Sequence, residues 1–378
     1  MSLRLVLAFM VSGLLGACTT PYSPPVAVRG SAPFLGLAEI VHRAGGDPVD
    51  VLYVHGMCSH SEADVFGTIE ALAKAIDARI AAPATQLRAA TVPDTDIQLI
   101  TLRTNIGVAQ LRFAALRWSP LTLPLKRQLD FDLTAPPTDC ATADECKPQR
   151  ARLNGAMKNG LLNDCLADAV IYEGDSRSAM RGQMKLAIAH AAGRLLATPV
   201  EPRRSLVLIT HSLGSKLVFD ALADMAAQGP ASAEARIAAQ LRAQLDQIFM
   251  VSNQLPLLGL ANQIIPVPGR SASASAVDPA RDSLAQFLPL WRAARASKDA
   301  RTPITVVALS DPNDLLSYSL RASRYASHEV PIADVLVSNK ATILGLLQRP
   351  DTTHTGYLAN PEVIDEIACG RPRSALCK

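Results

Sequence analysis

The chain has 378 residues, of which 49% are hydrophobic, 19% charged and 4% aromatic, and its formal net charge is +3. So much apolar material at so low a charge excludes a disordered chain, and the near balance of 37 basic and 34 acidic residues excludes a nucleic-acid-binding surface spread over the protein. No apolar run approaches the roughly 20 residues of a spanning helix, which argues against an integral helical membrane protein.

The first residues have the build of a secretory signal: Arg4, an apolar stretch over residues 5–15, then small Gly16 and Ala17. The run Leu15-Gly16-Ala17-Cys18 resembles a bacterial lipobox. The resemblance implies cleavage before Cys18, lipid on that cysteine, and, with Thr19 rather than Asp following, an outer-membrane anchor facing the periplasm. On this reading residues 1–17 are signal, and residues 18–33, rich in proline and serine, are the lipidated cysteine and an extended tether. The folded domain then covers residues 34–378.

Setting Cys18 aside leaves Cys58, Cys140, Cys146, Cys165, Cys369 and Cys377, an even number that suits disulfides in an exported protein. Several connectivities are open. Short loops favour Cys140 with Cys146 and Cys369 with Cys377, leaving Cys58 with Cys165; free buried thiols are the alternative. A zinc site is disfavoured, because there is no CxxC pair and the histidines are scattered.

Along the chain, residues 49–54 form an apolar run ending at His55-Gly56, read as a buried strand and turn. Residues 62–80 carry helical spacing, 97–102 and 113–118 read as strands, and 132–147 as a polar loop. Residues 151–162 read as helix, 167–172 as strand and 176–197 as a long helix. Residues 205–210 are the most strand-like run, followed by helices over 216–226 and 233–245 and strands over 247–251 and 304–309. Alternating apolar strands and helices predict an α/β fold, a doubly wound and mostly parallel sheet flanked by helices. Residues 253–300 read as an insertion, either a lid lined by Leu255, Leu257, Leu258 and Leu260 or simply core.

The chemistry concentrates at Thr210-His211-Ser212-Leu213-Gly214, directly behind the strongest strand and ahead of a helix. A serine becomes a nucleophile when a base takes its proton and the backbone holds it exposed. The run resembles the nucleophile elbow of the α/β-hydrolases, G-x-S-x-G, with Thr210 in place of the first glycine. His55-Gly56-Met57 after the early strand is similar to the oxyanion loop of that family. The resemblance implies Ser212 as nucleophile, the Met57 and Leu213 N–H groups as the oxyanion hole, and His55, Gly56, His211 and Gly214 as supports. It also implies a later acid and then a histidine. Asp314 is favoured as the acid, Asp311 is the alternative, and His354 before a C-terminal helix over 361–367 is favoured over His328 as the base.

The expected function is therefore a lipid-anchored serine hydrolase, esterase- or lipase-like, acting on a small acyl ester or a lipid; acyl transfer and thioester cleavage use the same triad. The competing expectation is a non-catalytic envelope lipoprotein that uses the fold as a binding scaffold. With no phosphate loop, dinucleotide fingerprint or metal box, no cofactor is expected.

Overall fold

The structure, a computed structural model, describes residues 32–76, 88–129, 151–196, 205–263, 282–296, 304–342 and 346–377. The expected signal, Cys18, nearly all of the tether, the Cys140–Cys146 pairing and residues 264–281 of the segment read as an insertion lie outside these residues. Among the described residues no helix is long and apolar enough to cross a membrane.

The strands are β1 (Phe34–Leu35), β2 (Val49–Val54), β3 (Arg88–Thr91), β4 (Gln98–Ile106), β5 (Ala109–Arg117), β6 (Ser205–His211), β7 (Leu245–Val251), β8 (Thr305–Ser310), β9 (Ile332–Leu336) and β10 (Gly370–Arg371). The principal helices are α1 (Leu37–Ala44), α2 (Glu62–Ile76), α3 (Ala167–Glu173), α4 (Arg177–Leu196), α5 (Leu213–Ala227), α6 (Ala233–Gln244), α7 (Ser283–Ala296), α8 (Pro350–Thr355) and α9 (Pro361–Cys369). Eight strands form one sheet in the order β3-β4-β5-β2-β6-β7-β8-β9, while β1 pairs with β10. The run from β5 to β9 is parallel, and β3 and β4 add an antiparallel edge.

Every residue of β2, β7 and β8 is buried, as parallel strands covered on both faces require. Successive side chains along a strand point to opposite faces. Leu52, Leu208, Met250 and Val306 accordingly pack with α4, α5, α6 and α7. Val51, Ile209, Phe249 and Val307 pack with α1, α2 and α9 on the other face. Away from the site, Arg112 on β5 grips its register partner Asp50 on β2 with two hydrogen bonds of 2.6 and 2.7 Å.

The order of the strands locates a cleft. After β2 the chain crosses to the edge strand β3 and builds back inward through β4 to β5 beside β2, then crosses to β6 on the other side of β2 and builds outward to β9. Such a reversal opens a crevice beyond the carboxyl ends of the two adjacent strands. His55-Gly56 leaves the end of β2 there, and Ser212 leaves the end of β6.

One expectation is corrected. Residues 167–172 are helical, not a strand: Asp168, Ala169 and Tyr172 are buried while Val170 is 69% exposed, the sidedness of a helix. A short apolar run does not distinguish the two. Within residues 253–300, helix α7 lies on the crossover joining parallel β7 to β8 and packs against α5 and α6. Leu255 and Leu258 are core; only Leu260 of that group is largely exposed. The strands β3 and β9 were not anticipated.

Candidate active site

β6 ends at His211, Ser212 turns the chain at φ 52° and ψ −125°, and α5 starts at Leu213. A non-glycine residue at positive φ is strained and persists only where its surroundings dictate it. Here the Ser212 N–H extends the sheet ladder to the Val251 carbonyl at 2.8 Å. The turn also needs close approach of backbone. A Cβ on Gly214 would lie 2.3 Å from the His55 carbonyl oxygen, and one on Gly56 would lie 2.8 Å from the Ser212 Cβ. Thr210, the departure from the elbow pattern, is fully buried and shares a 2.8 Å hydrogen bond with the Ser215 hydroxyl on the first turn of α5. Its extra atoms tie the strand to the helix.

His354 reaches Ser212 from the last turn of the short helix α8. Its Nε2 lies 3.0 Å from the Ser212 Oγ, and its Nδ1 lies 3.0 Å from both Asp314 carboxylate oxygens. An ionised carboxylate only accepts, so Nδ1 carries the proton and Nε2 accepts from the serine hydroxyl. Ser212 and His354 are each 1% exposed. Burial works to raise the Asp314 carboxyl, but the His354 ring, the Leu316 N–H and the Ser252 hydroxyl outweigh it and hold the group below the ordinary carboxylate range.

Asp311 is not behind the imidazole. Its carboxylate accepts the Asn313 N–H at 2.8 Å and the Asn339 N–H at 2.7 Å, clamping two loops together. Burial raises it above the usual carboxylate range. Of the two acids weighed from sequence, Asp314 is the one in contact with His354. His328 sits in the turn Ala322–His328 beside Tyr325.

Two side chains at this site were missed in the sequence. Ser252, directly after β7, repeats the geometry of Ser212: φ is 52°, and its N–H continues the ladder to the Leu309 carbonyl at 2.9 Å. Its hydroxyl donates to Asp314 Oδ2 at 2.9 Å and lies 3.1 Å from His354 Nδ1. Tyr357, fully buried, donates to the same Oδ2 at 3.0 Å and accepts the Asp311 N–H at 2.6 Å. The one available signal for Ser252 was its place at the end of the strand next to the elbow.

The loop after β2 is held from several directions. His55 donates from Nδ1 to the Gly56 carbonyl at 2.6 Å and accepts the Trp118 N–H at Nε2, 2.9 Å away. The ring stacks on Trp118, and burial keeps it neutral, far below the usual histidine range. Leu213 opens α5, so its N–H has no acceptor within the helix, and the Met57 N–H donates to no acceptor among the described residues. Both N–H groups thus lack an acceptor among the described residues. Past Met57, Cys58 is joined to Cys165, and its N–H donates to buried Asp168 at 2.8 Å. Lys126 binds Asp164 at 2.9 Å and Asp168 at 3.1 Å. A second disulfide joins Cys369 and Cys377. Both pairings agree with the sequence reading.

His211 supports the site from below. Its ring lies 6.1 Å from that of His354, and burial, followed by the neighbouring His354 and His60, pushes its pKa down to about 3. Among the described residues the one group of potential metal ligands is Cys58, Asp164 and Cys165. Its sulfurs are bonded to each other and its carboxylate to Lys126. Comparison of the chain with protein-family models and with curated proteins finds no match.

Proposed function

We propose that the protein is a serine hydrolase of the α/β-hydrolase type that cleaves carboxylic esters through an acyl-enzyme. The supporting observation is the Ser212 hydroxyl, on a strained residue, 3.0 Å from a histidine whose far nitrogen is held by Asp314. His354 takes the Ser212 proton as Oγ attacks the ester carbonyl carbon. The Met57 and Leu213 N–H groups receive the oxyanion, each such donor contributing ~3 kcal/mol. His354 then protonates the departing alcohol and deprotonates the water that releases the acid, while Asp314 stabilises the imidazolium. A binding scaffold without chemistry has no use for a base in reach of a strained serine.

Export and lipid attachment at Cys18 belong to the same proposal and rest on the lipobox-like run. The disulfides Cys58–Cys165 and Cys369–Cys377 favour an oxidising compartment. The test is labelling of the purified protein with a fluorophosphonate probe, alongside hydrolysis of p-nitrophenyl butyrate. Wild type is expected to label and turn over, and Ser212→Ala to do neither. Undiminished hydrolysis by Ser212→Ala would refute the proposal.

A further inference from the structure

The chain just past Met57 is gripped by two consecutive helical turns. Cys58 holds φ 80°, a backbone state that is costly for a non-glycine residue and needs outside support. The support comes from Asp164, at the end of the helical turns Met157–Leu166, and from Asp168 in the first turn of α3. The Cys58 N–H donates to Asp168 Oδ2 at 2.8 Å, and the Ser59 N–H donates to the two Asp164 oxygens at 3.1 and 3.0 Å. The Ser59 hydroxyl donates to Asp164 Oδ1 at 2.6 Å, and the disulfide partner of Cys58, Cys165, sits between the two acids in sequence. Two successive backbone donors thus meet two carboxylates four residues apart.

Like charges at that spacing on a helix repel, and Asp168 is fully buried, so the pair needs a counter-charge. Among the described residues Lys126, from the turn Leu123–Lys126 after β5, is the one cation paired with either acid. Its Nζ lies 2.9 Å from Asp164 Oδ1 and 3.1 Å from Asp168 Oδ1. It also donates to the Asp164 carbonyl at 2.9 Å and to the Ser59 hydroxyl oxygen at 3.2 Å. Only 4% of the lysine side chain is exposed. Burying a lysine costs both solvation and side-chain freedom, and no step of the proposed reaction uses this one. Without its charge the carboxylates move apart, the N–H groups of Cys58 and Ser59 lose their acceptors, and Cys58 relaxes from φ 80°. Met57 is the residue before it, so its N–H shifts relative to Ser212. The shift is limited, because His55 still holds the Gly56 carbonyl at 2.6 Å and His60 the Met57 carbonyl at 3.1 Å.

We propose that Lys126 is a positioning residue for the oxyanion hole, acting through Asp164 and Asp168 on the loop that carries the Met57 N–H. The inference rests on the hydrolase reading above and concerns how that same site is held in shape.

The test compares p-nitrophenyl butyrate with its thiono counterpart, in which sulfur replaces the carbonyl oxygen, using the full-length protein. Sulfur is a weak acceptor, so the ratio of the two kcat/KM values reports on the oxyanion donors rather than on general folding. Lys126→Met should lower kcat on the oxoester by about tenfold, part of the 10²–10³ that follows loss of a donor, with little change in KM and a smaller oxo-to-thiono ratio. Lys126→Arg, which keeps the charge, should recover part of that ratio. Removing one partner of a buried ion pair is strongly destabilising, so Asp164→Ala serves as the second variant. Its side chain is 36% exposed, the fold should tolerate its loss, and release of the Ser59 N–H should move the ratio in the same direction. A wild-type ratio in folded Lys126→Met, or in Asp164→Ala where Lys126→Met does not fold, would overturn the inference and leave the hydrolase reading intact. Equal losses on both esters would assign Lys126 to folding alone and overturn it too. No turnover of either ester by folded wild type would refute the hydrolase reading, and this inference with it.

Discussion

Ser252→Ala tests the bonding around Asp314. The substitution removes one of the donors on Oδ2, at 2.9 Å, and the oxygen 3.1 Å from His354 Nδ1, while the Tyr357 hydroxyl and the Leu316 N–H stay at 3.0 Å. A hydrogen bond to a charged group is worth roughly 1.5–3 kcal/mol, or about one to two pKa units. Asp314 has a depressed folded pKa, so its contribution to stability is present above the unfolded value near 3.8 and is lost as pH falls through the folded one. Chemical denaturation at pH 7 should therefore show Ser252→Ala less stable by roughly 1.5–3 kcal/mol, with the difference shrinking as the carboxyl titrates at low pH. Asp314 remains ionised and bonded to Nδ1, so kcat/KM at pH 7 should fall no more than about tenfold, against ~10⁴ for loss of a triad acid. A loss as deep as that of Ser212→Ala would put Ser252 among the reacting groups. A pH-independent stability change under about 0.5 kcal/mol would mean the hydrogen bonds carry no weight. Either result refutes the reasoning.

Gly214→Ala places a Cβ 2.3 Å from the His55 oxygen and 2.8 Å from the Val54 oxygen, both backbone. It should destabilise by about 3 kcal/mol or more, read as a lowered Tm, and an unchanged Tm would contradict the packing of α5 on β2. Replacing Cys58 and Cys165 together by serine opens a loop spanning a sequence separation of 107 and should cost about 4 kcal/mol. Because that loop carries Met57, ester turnover should fall as well; full activity in the reduced protein would separate the loop from the chemistry. Lastly, His211 has a depressed folded pKa of about 3 against an ordinary 6.5, so between those values the unfolded chain binds the extra proton and stability rises with pH. The full window corresponds to roughly 4–5 kcal/mol. Unfolding free energies of wild type and His211→Gln at pH 7.5 and 4.5 should show a steeper loss in wild type, and parallel losses would contradict a buried neutral ring.

The sequence revealed the site where its demands are local. A strained serine between strand and helix leaves its mark within five residues, 210–214, and the loop proposed to receive an oxyanion leaves another at residues 55–57. The acid was less legible, because Asp311 and Asp314 lie on one turn and differ only in where that turn points them. Tyr357 left no readable pattern and Ser252 only its place at a strand end, because their contacts with Asp314 exist only once β7 lies beside β6 and β8. The same holds for the fold. Fully buried strands such as β2 and β8 read plainly, but α3 turned on which side of a short apolar run faces the core.

The pairing of β1 with β10 bears on where a load would enter the folded body. Gly36 and Gly370 cross so tightly that a Cβ on Gly36 would meet Gly370 N at 2.4 Å, and Phe34 and Leu35 pair with Arg371 and Gly370. The polypeptide is in effect a closed circuit, opened at an edge where both ends are stitched together. Anything attached ahead of residue 32 hangs from the same corner as the Cys369–Cys377 loop. A pull transmitted along that attachment is borne by this two-residue clasp and by α1 and α9 behind it. That load enters the sheet directly, since Phe34 meets Phe249 of β7 edge-on at 6.1 Å and α1 packs on β2, β5 and β6.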